Sequence, residues 1–147
     1  SDKESRAIAG LSMGGYGSFL YSLHHPDMFC ACAPLSAAVF DDTVMEARKA
    51  RSHKDLFNRL FGPGDEHWKQ NNVLKILSDW DQNNLPKIRY YIDCGDDDGL
   101  LDGNMQVHQI MRQKGIRHEF RVRDGGHSFA GSPEVCQPDF LPKLTKP

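Results

Sequence analysis

Apolar residues follow two different periods along the chain, and each change of period marks an element. A short apolar run, Ala7-Ile8-Ala9, is followed at helical spacing by Tyr16, Phe19, Leu20 and Leu23, which predicts a strand running into a helix. His24 and His25 close that helix before Pro26, where a histidine favours the helix dipole. From Phe29 to Leu35 the chain is almost continuously apolar, as a strand buried on both faces should be. Ile88-Arg89-Tyr90-Tyr91-Ile92-Asp93 has the β-branched and aromatic content of another strand. Met105, Ile110 and Met111 mark a helix that closes at Gly115, just after Lys114. Phe120 and Val122 alternate with Glu119, Arg121 and Arg123, the pattern of a half-exposed edge strand. Strands separated by helices predict an α/β domain with a mostly parallel sheet flanked by helices.

The stretch from about 41 to 84 is polar and helical. Leu56, Phe57, Leu60 and Phe61 form one apolar stripe, ending at Gly62-Pro63-Gly64. Val73, Ile76, Leu77 and Trp80 form a second after Asn71-Asn72. Lying between two strands, this segment is expected to be a lid-like insertion. Trp68 and Trp80, with Phe40, are candidates there for stacking on a sugar or an aryl acid, against the plainer role of packing the insertion on the body. Beyond residue 130, Pro133, Pro138, Pro142 and Pro147 rule out one continuous helix, so residues 131–147 are expected to form an irregular tail.

The junction between the first strand and the first helix carries the chemistry. Gly10-Leu11-Ser12-Met13-Gly14 is a Gly-x-Ser-x-Gly pentapeptide. A serine on a tight strand-to-helix turn needs glycines on either side, because a Cβ there would meet the neighbouring backbone. The turn lifts the hydroxyl clear of the sheet. It also sets the Met13 backbone N–H at a helix N-terminus, where it can stabilise an oxyanion.

A serine hydroxyl needs a base, and the base needs an acid to orient it. Of seven histidines, only His127 lies on a Gly-Gly loop directly after a strand and follows both serine and acid. Asp93 belongs to its strand, and Asp102 is placed to cap the next helix. Among Asp96, Asp97 and Asp98 the residues alone do not choose.

These stretches resemble the esterase D-like branch of the α/β-hydrolases, the group of feruloyl and acetylxylan esterases, S-formylglutathione hydrolases, enterochelin esterases and mycolyltransferases. The resemblance rests on Ala7 to Gly17, His25-Pro26-Asp27-Met28-Phe29, Asp93 to Asp98, and Gly125-Gly126-His127. It implies the α/β-hydrolase fold and makes Asp98 the acid, since the family's acid is the Asp of a Gly-x-x-Asp turn. It further implies a serine carboxylic-ester hydrolase working through an acyl-enzyme on feruloyl or acetyl esters of carbohydrates. Thioester hydrolysis of S-formylglutathione and acyl transfer to a sugar use the same triad. A non-catalytic carbohydrate-binding or interaction module that keeps the fold is the alternative from another class. A carbohydrate esterase implies a secreted or periplasmic setting, and a thioesterase a cytoplasmic one.

The family places a substantial N-terminal half ahead of the elbow, whereas only Ser1 to Ala9 precede it here. The 147 residues are therefore expected to be the C-terminal half of one catalytic domain, residues 1–130. The N-terminal half, which would supply the second oxyanion donor, is the expected partner, as a separate chain or as sequence outside these residues.

Composition narrows the remaining classes. A net charge of −2 lacks the concentrated basic face that nucleic acid requires, and Arg48, Lys49, Arg51 and Lys54 read as a solvated helix face. No apolar stretch approaches the ~20 residues of a membrane span. Aligning a calcium loop on Asp98-Gly99 puts Cys94 first and Met105 twelfth, so it fails at both ends. No His-Glu-x-x-His or Cys-x-x-Cys occurs, so neither metal nor cofactor is implied. Cys30 and Cys32 are read as small core residues on one face of their strand.

Overall fold

The computed structural model describes residues 2–51, 58–59, 62 and 64–128. After a short turn of 3₁₀ helix over Lys3–Ser5 come β1 (Ala7–Leu11), α1 (Met13–His24), β2 (Ala31–Leu35) and α2 (Asp42–Arg51). There follow α3 (Glu66–Asn71), α4 (Val73–Asp79), β3 (Arg89–Gly95), α5 (Leu101–Lys114) and β4 (His118–Arg123). The four strands form one sheet in sequence order, β1-β2-β3-β4, and every pair is parallel. Parallel neighbours need crossovers, and α1 and α5 supply two of them. The register sets Leu11 beside Leu35, Leu35 beside Asp93, and Gly95 beside Arg123. All strands therefore end along one carboxyl edge.

Alternate strand residues feed two apolar clusters. Cys32, Tyr90 and Ile92 pack with Phe19 and Leu23 of α1, Val73, Leu74 and Leu77 of α4, and Val107 and Met111 of α5. Ala31, Ala33, Leu35 and Tyr91 form the second cluster with Cys30. Both faces of β2 are covered, which explains why its five residues are all buried and why its sequence shows no alternation. Pro34 sits inside this central strand. Its missing N–H is accommodated by a gap: β2 pairs with β3 at Ala31, Cys32 and Leu35, with no partners at Ala33 and Pro34.

Four expectations need correction. Cys30 and Cys32 are both buried, but in different clusters, because Cys30 precedes the strand and escapes its alternation. Asp102 does not cap α5, which starts at Leu101. On that helix Gly103, Asn104, Val107 and Met111 are the buried positions and Met105 is exposed. The second stripe of the expected lid, α4, belongs instead to the main core, covering the sheet between α1 and α5. The first stripe, Leu56 to Phe61, and the tail from residue 129 lie outside the described residues.

Candidate active site

Ser12 has φ 60° and ψ −118°, a conformation that a residue with a Cβ adopts only under strain. Three backbone bonds hold it there. Its N–H donates to the Leu35 carbonyl at 2.9 Å, and its own carbonyl accepts from Tyr16 and Ala38, both at 3.0 Å. The elbow is also packed too closely for side chains: a Cβ on Gly10 would lie 2.4 Å from the Gly14 carbonyl, and one on Gly15 2.9 Å from that of Leu35. The strain is thus imposed by the junction of β1, α1 and β2. Met13 opens α1, and its N–H, like the others of a first helical turn, has no intrahelical acceptor.

The acid loop leaves β3 at Gly95 and enters α5 at Leu101. Asp96 and Asp97 are exposed, while Asp98 is 6% exposed. Asp96 accepts from the Gly125 N–H through Oδ1 at 2.9 Å, and the Asp97 N–H donates to the Gly125 carbonyl at 3.1 Å. Those two bonds tie the acid loop to the glycine loop after β4. A Cβ on Gly95 would stand 2.0 Å from the Gly125 carbonyl, so this contact requires glycine. Asp98 turns inward: Oδ2 lies 2.9 Å from His127 Nδ1, and Oδ1 accepts from the Leu100 N–H at 2.9 Å. Burial alone would push the Asp98 carboxyl up. Hydrogen bonds from the Ser36 hydroxyl, His127 and the Leu100 N–H outweigh that and hold it below its ordinary value. Asp98 is therefore an ionised acceptor, suited to fixing the imidazole with its proton on Nδ1 and Nε2 turned outward.

The structure thus joins Asp98 to His127 and sets the pair on the same carboxyl edge as Ser12. Among the described residues, the Ser12 hydroxyl and His127 Nε2 carry no hydrogen bond, and the His127 side chain is 42% exposed. The remaining histidines stand elsewhere. His24 and His25 end α1, His67 pairs with Asn71 on α3, and His108 Nδ1 meets His118 Nε2 at 2.8 Å between α5 and β4. His53 is outside the described residues.

The two tryptophans are held in different places. Trp68 is buried, its indole N–H donating to Asp42 at 2.9 Å. Trp80 follows α4, donates to the Asn84 carbonyl at 2.7 Å, and lines a cavity of about 250 Å³ with Lys3, Pro26 and Lys87. Those neighbours precede β1 and β3 or follow α1, so the cavity lies at the end of the sheet opposite Ser12. Two contributors escaped the sequence reading. Ser36, buried just after β2, donates its N–H to the Asp93 carbonyl at 2.7 Å and so ties the end of β2 to the strand that leads into the acid loop. Asn104, also buried, donates to the Ala37 carbonyl at 3.0 Å and so fixes the loop whose Ala38 N–H holds the elbow. The only signal for Ser36 in the sequence is a polar residue ending an apolar strand. Among the described residues there is no cluster of three metal-ligating side chains, and no helix is long and apolar enough to cross a membrane.

Residues 1–144 match the family described as "Putative esterase". The chain belongs to this esterase family. It is 29% identical over 136 residues to the acetyl esterase of Caldicellulosiruptor saccharolyticus, covering 86% of this chain and 50% of that one. It is 36% identical to a ferulic acid esterase of known structure, with a TM-score of 0.73 over 98% of this chain and 52% of that one. The fluorophosphonate-binding serine hydrolase FphF of Staphylococcus aureus shares the fold at 20% identity, with a TM-score of 0.80 over 99% of this chain and 56% of that one. The chain has the α/β-hydrolase fold and spans about half the length of these relatives.

Proposed function

We propose that this esterase-family chain carries the catalytic triad of a serine carboxylic-ester hydrolase acting on acyl esters of carbohydrates, feruloyl or acetyl. The observation that carries the reading is the 2.9 Å Asp98–His127 pair on the edge where Ser12 is held in a strained elbow. The Ser12 hydroxyl oxygen attacks the ester carbonyl carbon while its proton passes to His127 Nε2. The oxyanion lies against the Met13 N–H. As the tetrahedral intermediate collapses, the C–O bond to the alcohol breaks and the alcohol leaves with the proton from His127. Water then attacks the acyl-enzyme, His127 again taking and returning the proton, which releases the acid and restores the Ser12 hydroxyl. Asp98 stays ionised throughout.

The acyl and sugar preference is supported by the acetyl esterase and ferulic acid esterase among the relatives. As the partner of this half we propose a further polypeptide segment that pairs with β1, which among the described residues has a neighbour on one side only. It would contribute the second oxyanion donor. A fluorophosphonate probe tests the mechanism. The natural full-length protein should label, and Ser12→Ala should abolish labelling; an unlabelled protein would favour a non-catalytic module. Rates on matched acetyl, feruloyl and S-formyl substrates then test the acyl preference, and fastest turnover of the S-formyl thioester would defeat the carbohydrate-ester assignment.

A further inference from the structure

The cavity of about 250 Å³ beside Trp80 opens on the amino edge of the sheet, away from the triad. Lys3 precedes β1, Pro26 and Asp27 follow α1, and Pro86 and Lys87 lead into β3. β3 has seven residues, so roughly 20 Å of strand separates this edge from the acid loop. The cavity has no part in the acyl-transfer chemistry.

Its lining combines a fixed apolar wall with unpaired charge. Trp80 packs against the main core cluster and also lines the cavity, together with Pro26 and Pro86. The indole N–H donates to the Asn84 carbonyl at 2.7 Å, and the Lys114 ammonium donates to the Trp80 carbonyl at 3.0 Å. A wall fixed in advance loses little conformational freedom when a ligand meets it. Lys3, Lys87 and Asp27 complete the surround, and among the described residues none of the three forms an ion pair or a side-chain hydrogen bond. Two cations against one carboxylate leave the lining with a net positive charge. The wall suits the apolar face of a ring, and the lysines suit an anionic substituent on it.

We propose that this cavity is a second carbohydrate site, which takes a uronate-bearing sugar unit of a polysaccharide. The pyranose ring lies against Trp80 and the prolines, and its carboxylate faces Lys3 and Lys87. The inference rests on the carbohydrate-ester reading above and extends it from the ester to the polymer that carries the ester. A sugar unit held at the amino edge keeps the rest of its chain close to the carboxyl edge, which raises the effective concentration of esters at Ser12. Only a polymer long enough to reach both edges is helped; a short aryl ester gains nothing.

Affinity electrophoresis of the natural full-length protein tests the site, with glucuronoxylan as the acidic polymer and arabinoxylan as the neutral one. Glucuronoxylan should retard the wild type more than arabinoxylan does, and the difference should shrink between about 0.05 and 0.5 M salt. Trp80→Ala removes the wall, and Lys3→Ala combined with Lys87→Ala removes the charge. The lysine double variant leaves the core untouched, so it carries the test where the tryptophan variant does not fold. Each should weaken glucuronoxylan binding about 10-fold, with kcat/KM on a short aryl ester within about twofold of wild type. Undiminished retardation of the lysine double variant would overturn the inference. So would a wild type held equally by both polymers, or by neither; in the last case another segment of the full-length chain fills the cavity. A wild type that binds glucuronoxylan but does not react with the fluorophosphonate probe would instead defeat the esterase reading and leave the site standing.

Discussion

Three consecutive aspartates differ in what their carboxylates touch, and that difference makes a sharp prediction at the scale of single residues. Asp98 is buried and bonded to His127, while Asp97 is exposed and joins the glycine loop through its backbone N–H. Asp98→Asn should lower kcat by about 10³-fold or more and Asp97→Asn by less than about threefold, measured with a short-chain aryl ester. The reverse ranking would move the acid by one residue. Asp98 also links activity to stability. Its carboxyl is held below the value of 3.8 that it has when exposed, so it adds stability that is present above that value and lost as pH falls through the lower folded one. The difference in urea stability between wild type and Asp98→Asn should therefore be full at pH 6 and shrink on acidification towards pH 3. A difference independent of pH would mean that the carboxylate is not preferentially ionised in the fold.

Between elements, spacing is set by backbones too close to admit a side chain. β3 meets the loop after β4 at Gly95, and α5 meets the loop after β2 at Gly103, where a Cβ would lie 2.0 Å from the Val39 carbonyl. Neither obstacle is the tip of a flexible side chain, so the elements themselves must shift. Gly95→Ala should push the His127 loop away from Asp98, lowering kcat about 10²-fold or more and stability by about 1–3 kcal/mol. Gly99→Ala, with open space around it, is the control on the same loop and should fall within about 0.5 kcal/mol of wild type. Equal effects in the two variants, measured by thermal melts and initial rates, would show that the approach of β3 to the glycine loop does not control the site.

For the whole molecule the open question is what borders β1. Among the described residues β1 is a parallel strand with apolar residues and a neighbour on one side only, and such edges invite association. In the full-length protein the β1 amides should exchange slowly with solvent. In residues 1–147 prepared alone they should exchange fast, or the sample should associate on sedimentation. Without a second oxyanion donor, about 3 kcal/mol of transition-state stabilisation should also be missing, lowering kcat on aryl esters ~10²-fold or more even with the triad intact. A monomeric, fully active 147-residue fragment with protected β1 amides would refute the proposed partner segment.

What the sequence determined by itself is what depends on local chain geometry. The Gly-x-Ser-x-Gly turn between an apolar run and a helical stripe specifies a serine on a strand-to-helix elbow, because a side chain at Gly10 would meet the Gly14 backbone, whereas Gly14, contrary to expectation, has open space around it. Strand–helix alternation implied the parallel sheet, since parallel neighbours require crossovers, and a Gly-Gly loop after a strand singled out His127. The choice of Asp98 came from family resemblance, because three adjacent acidic residues are locally equivalent. Only the tertiary structure distinguishes them, by which one the approach of β3 to β4 turns inward. The same holds for Ser36 and Asn104: each is bonded to a partner distant in sequence, the Asp93 and Ala37 carbonyls, and no local pattern records such a pairing. Trp68 and Trp80 show the converse. Aromatic residues in a polar segment are equally suited to a lid or a core; Trp80 is placed against the main core after α4, and Trp68 is buried with its indole bonded to Asp42.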